Sequence, residues 1–171
     1  FGIGTEIGFL AGPQNSQYTA PFSFGFSTSY TFGTRYMAEA GSGLEFIGNS
    51  YMPFYGGFRY YFREGRTSPF IFGRAGYMVM ISENERETYY YPVTSSYYPP
   101  DYWYTDNREY KGGPTFTTGL GASFAISDIE TYMSFAYRHF STHEIVSTST
   151  SQTEKFFYYF NRLEIKFGFR F

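Results

Sequence analysis

Residues 157–171 read FYYFNRLEIKFGFRF, and apolar and polar side chains alternate along them with few exceptions. The odd positions, from Phe157 to Phe171, are apolar apart from Asn161. The even positions include four charged residues, which are Arg162, Glu164, Lys166 and Arg170. Because successive side chains of a β-strand point to opposite faces, this period of two predicts a strand with one apolar and one charged face.

The same alternation recurs along the whole chain. Phe, Tyr and aliphatic residues occupy one face of each segment, and Gly, Ser, Thr or charged residues occupy the other. No run of about 18 apolar residues occurs, so no transmembrane helix is predicted. The pattern predicts eight strands at about 1–11, 21–32, 36–47, 54–63, 69–81, 115–126, 131–143 and 154–171.

The connections between these strands alternate in length. Short connections are predicted at 33–35, 64–68 and 127–130, and longer ones at 12–20, 82–114 and 142–153, with 48–53 as the one short exception. Transmembrane barrels have short periplasmic turns and longer outside loops. The sequence therefore predicts an all-β fold, an eight-stranded antiparallel up-and-down transmembrane β-barrel. One domain covers residues 1–171, with a long external loop at about 82–114.

A barrel of this kind is expected in the bacterial outer membrane with both termini in the periplasm. A bilayer offers no hydrogen-bond partners to a sheet edge, so the sheet must close and turn its apolar face outward. No signal peptide is visible at the N-terminus, so we expect that the export signal was removed from the mature chain. Outer-membrane lipid and lipopolysaccharide are the expected surroundings.

The composition of the chain argues against several other classes of function. The formal net charge of −2 gives no support to nucleic-acid binding, and the absence of cysteine excludes disulfides and thiolate metal sites. The two histidines, His139 and His143, would lie about 13 Å apart on a strand, too far to share a metal ion. No cofactor and no metal are predicted.

Charged residues of both signs are predicted to meet inside the barrel. Eight strands enclose a space that side chains fill, and buried charges are tolerated only when they are paired. We interpret the set as a structural plug, which disfavours both a catalytic cluster and a narrow channel. The predicted ion-pair network comprises Glu6, Glu39, Glu45, Arg59, Arg63, Arg74, Arg138, Arg162, Glu164 and Lys166.

Two motifs resemble known outer-membrane proteins. The pattern Leu163-x-Ile165-x-Phe167-x-Phe169-x-Phe171 resembles the C-terminal assembly signal of this class, which implies recognition by the barrel-assembly machinery. Residues 57–62 and 69–77 are similar to the central hairpin of small barrels such as OmpX and the OmpA membrane domain. This resemblance implies a small eight-stranded barrel.

A third motif, Arg138-His139-Phe140-Ser141, resembles the His-x-Ser core of PagL-type lipid A deacylases. The resemblance implies His139 as general base, Ser141 as nucleophile and Glu154 as the residue that orients the histidine. Both His139 and Ser141 are predicted on the outward, lipid-facing side of their strand. Thr142 replaces the Asn that usually follows in that family.

The predicted loop at 82–114 is rich in aromatic residues. Tyr and Trp offer large contact areas with a polar handle, and such a loop is too long to be a mere connector. It is interpreted as a surface for a protein partner or glycan, or as an extension of the fifth and sixth strands folded over as a cap. The candidate binding residues are Tyr89, Tyr90, Tyr91, Tyr97, Tyr98, Tyr102, Trp103 and Tyr104.

The favoured function is therefore a non-enzymatic outer-membrane barrel, structural or binding a partner through its aromatic loop. It could serve as a subunit of a larger outer-membrane complex. The alternative is a PagL-like lipid A esterase that uses the pair on the seventh strand.

Overall fold

The structure, a computed structural model, describes residues 1–12, 22–47, 49–81, 91–92, 103–104, 107–147 and 153–171. All of the regular secondary structure in these ranges is β-strand, and none of the described residues forms a helix long and apolar enough to cross a membrane. The strands are β1 (Gly2–Ala11), β2 (Phe22–Phe32), β3 (Tyr36–Ile47), β4 (Asn49–Tyr61), β5 (Thr67–Met80), β6 (Tyr91–Pro92), β7 (Trp103–Tyr104), β8 (Asn107–Lys111), β9 (Pro114–Ile126), β10 (Ile129–Ser147) and β11 (Thr153–Arg170).

Eight of these strands close into a ring. Each pairs antiparallel with its neighbours in the order β1, β2, β3, β4, β5, β9, β10, β11, and β11 returns to pair with β1. The predicted all-β barrel of eight antiparallel strands is therefore confirmed. Closure leaves this ring without a free sheet edge over the paired length of its strands.

The register around the ring is staggered by ten residues. Passing from partner to partner, a path that starts at His139 on β10 returns to the same strand at Ile129. A stagger of this kind requires strands that tilt relative to the barrel axis, typically by about 35–45°. The intervening partners are Phe116, Ala75, Gly56, Ala40, Thr28, Ile3 and Phe171.

Side chains alternate between the outside and the inside of this ring, as the period of two predicts. Outward residues such as Phe26 and Leu120 are 54% and 61% exposed. Inward residues such as Glu45 and Arg59 are each 2% exposed. The barrel thus shows its apolar face to the surroundings and encloses its charges.

Strand β4 begins earlier than the sequence predicts. The expected loop at 48–53 is wrong, because Asn49 already pairs with Ile47 and the strand continues through Pro53. Proline has no backbone N–H to donate, and the β3–β4 ladder is interrupted where Met52 and Pro53 face β3. The sequence predicts a loop for this first part of β4 because proline normally indicates a turn.

Strand β8 shows how the end of the long loop returns to the barrel. It pairs with β10 at His143–Ser147, rather than extending β5 as a hairpin partner. The two glycines between β8 and β9 allow this path, because a Cβ at Gly112 would overlap with the carbonyl oxygen of Met78. The Gly113 carbonyl accepts a hydrogen bond from the Met78 N–H at 2.8 Å.

Candidate functional site

Glu6 is the centre of the charged interior. Arg74 donates two hydrogen bonds to its carboxylate, Nη1 to Oε1 at 2.8 Å and Nη2 to Oε2 at 2.9 Å. The Lys166 ammonium lies 2.7 Å from Oε1, and the hydroxyls of Tyr132 and Tyr55 donate at 3.1 and 3.4 Å. One buried carboxylate is thus held by four side chains from four other strands.

Glu39 forms the second acidic position. The Arg74 Nε donates to its Oε1 at 2.5 Å, and Arg59 Nη2 donates to its Oε2 at 3.4 Å. The Arg59 guanidinium also lies over the rings of Phe70 and Tyr132, 4.2 and 4.5 Å from their centroids. Cation–π contact of this kind supports a guanidinium whose Nε and Nη1 have no hydrogen-bond partner among the described residues.

A third group lies closer to the long loops. Arg138 on β10 pairs with Glu45 on β3 and lies 3.9 Å from Glu164, which in turn is 2.6 Å from Lys166. The Arg138 Nε also donates to the Thr115 hydroxyl at 3.2 Å. Four of the five buried acids in the described interior, Glu6, Glu39, Glu45 and Glu164, are therefore matched by Arg59, Arg74, Arg138 and Lys166. The fifth, Glu144, accepts a hydrogen bond from the Tyr158 hydroxyl at 2.6 Å.

Two arginines that were predicted to belong to this ion-pair network do not take part in it. Arg63 is exposed, because β4 ends at Tyr61, and its Nη2 donates to the Thr67 carbonyl at 3.4 Å. Its predicted place in the interior is wrong. Arg162 does point inward, but it makes no ion pair with a described residue and donates instead to the Gly12 carbonyl at 3.3 Å.

Apolar side chains close the interior above and below the charges. Together with the ion pairs they leave a cavity of about 20 Å³ beside Glu45 and Arg138, room for roughly one water molecule. A larger pocket of about 230 Å³ opens at the end that carries the termini, beside Glu130 and Arg170. The middle of the described interior is therefore filled. The cluster towards the termini comprises Met37, Tyr61, Phe70, Phe72, Tyr132 and Ala136, and that towards the long loops comprises Leu10, Ile47, Tyr51, Met78 and Phe140.

Sequence reasoning missed the neutral partners of the charged residues. Tyr55 and Tyr132 were not assigned to the network, although both hydroxyls reach Glu6. It also missed the pair between Arg170 and Glu130, which the Tyr61 hydroxyl joins near the chain termini. The one available signal was the alternation of side chains along each strand, since all of these residues fall on inward positions.

His139 and Ser141 both lie on the outward face of β10. The Asn161 Oδ1 accepts from the Tyr137 hydroxyl at 2.5 Å and lies 2.8 Å from His139 Nδ1. Because this oxygen can only accept, Nδ1 of His139 carries a proton, and no described residue is hydrogen-bonded to Nε2. The imidazole also stacks on the Tyr159 ring, with centroids 6.1 Å apart and an interplanar angle of 16°.

The three residues suggested by the deacylase resemblance do not come together. Among the described residues no hydrogen bond joins His139 to Ser141, and Glu154 pairs with Val146, seven register positions beyond His139. Seven positions along a strand are about 23 Å. The expected orienting role of Glu154 is therefore wrong, and Asn161 occupies that place beside the histidine.

The aromatic loop is described only in part. Tyr91 pairs with Tyr104 and Pro92 with Trp103, which makes β6 and β7 a two-stranded ladder of their own. The other candidate binding residues, Tyr89, Tyr90, Tyr97, Tyr98 and Tyr102, lie outside the described residues.

The C-terminal motif lies on the strand that closes the ring. Its apolar residues face outward on β11, which pairs with β10 on one side and β1 on the other. Phe171 exchanges two backbone hydrogen bonds with Ile3, at 3.0 and 2.9 Å. The outward residues of the motif are Leu163, Ile165, Phe167 and Phe169.

Fold and site together define a closed antiparallel β-barrel with a filled, charge-balanced interior. No protein-family model matches the chain, and a search of curated proteins finds no match. No three His, Asp or Glu side chains are grouped as a metal site within the described ranges. The function is therefore argued from the distribution of polar and apolar side chains.

Proposed function

We propose that this chain is an integral β-barrel of the bacterial outer membrane, non-enzymatic, with both termini in the periplasm. The observation that supports the proposal is the inverted distribution of side chains. Large apolar residues such as Leu120 and Phe135 are about half exposed or more, whereas Glu6 and Arg59 are almost fully buried. Soluble proteins rarely expose continuous apolar surface on this scale.

A lipid environment accounts for this inversion physically. The outward apolar band is stable against acyl chains, and the closed ring satisfies the backbone hydrogen bonds that a bilayer could not. A tilted strand crosses the hydrocarbon core with about 9–11 residues. The shortest strand of the ring, β1, has 10 residues, and β4 and β9 have 13 each.

Cell fractionation tests the proposal directly. The chain would be expressed behind an export signal, and inner and outer membranes would be separated by density. We expect it in the outer-membrane fraction, with the folded form migrating faster than the boiled form on a cold denaturing gel. Recovery in the soluble periplasm as a folded protein would overturn the proposal.

The aromatic loop is proposed as the surface that binds a protein partner or glycan. The β6–β7 ladder supports this, because it gives part of the loop a sheet of its own outside the ring. Deletion of residues 93–102 should leave the barrel folded and remove partners that co-purify in mild detergent. An unchanged set of co-purified proteins would count against the loop as the binding surface.

Lipid A ester hydrolysis remains a second candidate. The observation that favours it is the His139–Asn161 hydrogen bond, which engages Nδ1 and leaves Nε2 without a partner among the described residues, on the face that carries Ser141. A base so oriented could activate a neighbouring hydroxyl. Mass spectrometry of lipid A after incubation decides: loss of an acyl chain with the wild type but not with Ser141→Ala supports hydrolysis, and an unchanged acyl number supports the non-enzymatic barrel.

A further inference from the structure

The outer boundary of the bilayer can be placed on β10 if the proposed membrane location holds. The strand begins at Ile129 next to a short turn, and His139 lies ten residues further on. Because about 9–11 tilted residues cross the hydrocarbon core, His139 falls at the outer interface. Asn161, its partner on β11, is ten residues from Phe171 and lies at the same level.

Strands β10 and β11 continue beyond this level, and the character of their outward face changes there. Below it the outward residues are apolar, as at Met133 and Phe135. Above it the outward residues of β10 are His139, Ser141, His143 and Ile145, so polar side chains predominate. On β1 to β5 the described outward residues at the corresponding end are mainly apolar, such as Phe9, Phe46 and Val79.

Cationic and aromatic side chains meet on this outward face. The register places His143 between Lys111 on β8 and Phe157 on β11, and Ile145 between Glu109 and Lys155. Lys111 forms an ion pair with Glu109 at 3.3 Å, whereas Lys155 forms none with a described residue, so the lysines outnumber the acids among these paired positions. The outer-rim patch is defined as Lys111, His139, His143, Lys155, Phe157 and Tyr159.

The aromatic rings of the patch are open to the surroundings. Phe157 and Tyr159 are 60% and 67% exposed, and each lies beside an imidazole: the tilted ring of His143 is 5.8 Å from Phe157, and His139 stacks on Tyr159. Amines at the level of the lipid headgroups attract phosphate, and aromatic rings beside polar groups suit a surface that is apolar below and hydrated above.

We infer that the outer-rim patch binds the phosphorylated sugar headgroup of the outer-leaflet glycolipid. This inference rests on the proposed outer-membrane location. Lys111 and Lys155 contact the phosphate, while the exposed rings and the imidazoles contact the sugar and the upper ends of the acyl chains. The barrel thereby has one side, formed by β8, β10 and β11, that holds lipopolysaccharide more firmly than the rest of its circumference.

The test uses the purified full-length chain folded in detergent micelles. Native mass spectrometry would follow the titration with bisphosphorylated lipid A, and with fully dephosphorylated lipid A as the neutral probe. The double variant Lys111→Gln/Lys155→Gln should bind the bisphosphorylated lipid about tenfold more weakly. The control Arg35→Gln/Arg66→Gln, which removes two exposed cations from turns at the opposite end, should bind like the wild type.

The outcomes separate this inference from the proposed function. Equal binding by the wild type and the lysine double variant, or equal binding of the two lipids by the wild type, would overturn the patch while leaving the outer-membrane barrel untouched. If the barrel is absent from the outer-membrane fraction, the proposed function fails whatever the lipid titration shows. Heat-shifted migration on a gel confirms that each variant is folded.

Discussion

Arg74 and Glu6 meet across the full width of the barrel. Arg74 lies on β5 and Glu6 on β1, four places apart in a ring of eight strands, and two hydrogen bonds of 2.8 and 2.9 Å join them. A paired guanidinium and carboxylate of this geometry are among the stronger polar contacts in proteins. The interior is therefore tied together from opposite walls, which fits a plug better than an open pore.

Replacing Arg74 with Ala should destabilise the barrel by about 3–5 kcal/mol, because Glu6 and Glu39 would lose their shared counter-charge while remaining buried. Urea unfolding in micelles, followed by gel migration and circular dichroism, measures the change. Arg35→Ala is the matched control, since Arg35 pairs with Glu64 on the surface, where both side chains are about half exposed. Similar midpoints for the two variants would show that the interior pair contributes little.

Leu120→Arg should be strongly destabilising in a bilayer. Leu120 faces outward opposite Phe135, near the middle of the predicted span, where an arginine on the lipid face costs about 2–4 kcal/mol. His143→Arg, above the predicted interface, should cost much less. Unfolding in phospholipid vesicles provides the measurement, and equal stability of the two variants would argue that the outward face does not contact lipid.

His139 should carry its proton on Nδ1. The 2.8 Å contact with the Asn161 carbonyl oxygen fixes this tautomer, which nitrogen-15 NMR of the side chain reports. Asn161→Ala should remove the preference and produce a mixture of tautomers. A His139 that is already protonated on Nε2 alone in the wild type would contradict the hydrogen bond.

The pKa of Glu64 should lie below its usual value. Its carboxylate, in the turn after β4, accepts a hydrogen bond from the Thr34 side chain and another from Arg35, and both lower the pKa. The associated stability is present above the unfolded-state pKa and is lost as pH falls through the folded-state pKa. NMR titration should show the pKa rising in Thr34→Val. No rise would mean that the Thr34 contact is absent in solution.

The alternation of side chains along each strand was enough to predict most of the charged residues that face the interior. Glu6, Arg74 and Arg138 were assigned to the interior because they fall on the polar face of an alternating segment. Which of them pair could not be foreseen, since Arg74 meets Glu6 only because the ring closes and places β5 opposite β1. The role predicted for Glu154 is wrong for a different reason, because distance along the chain gave no information on the register of the last hairpin.

The alternation of side chains therefore determined by itself that this protein is an antiparallel sheet with an apolar and a charged face, since the two faces of a strand are set by local geometry. Tertiary structure alone decided the ten-residue stagger, the pairing of Lys166 with Glu6, and the meeting of His139 with Asn161. These contacts join strands that are distant in sequence or whose register is set by closure. The closed ring fixes them because each strand must satisfy the hydrogen bonds of both its neighbours at once.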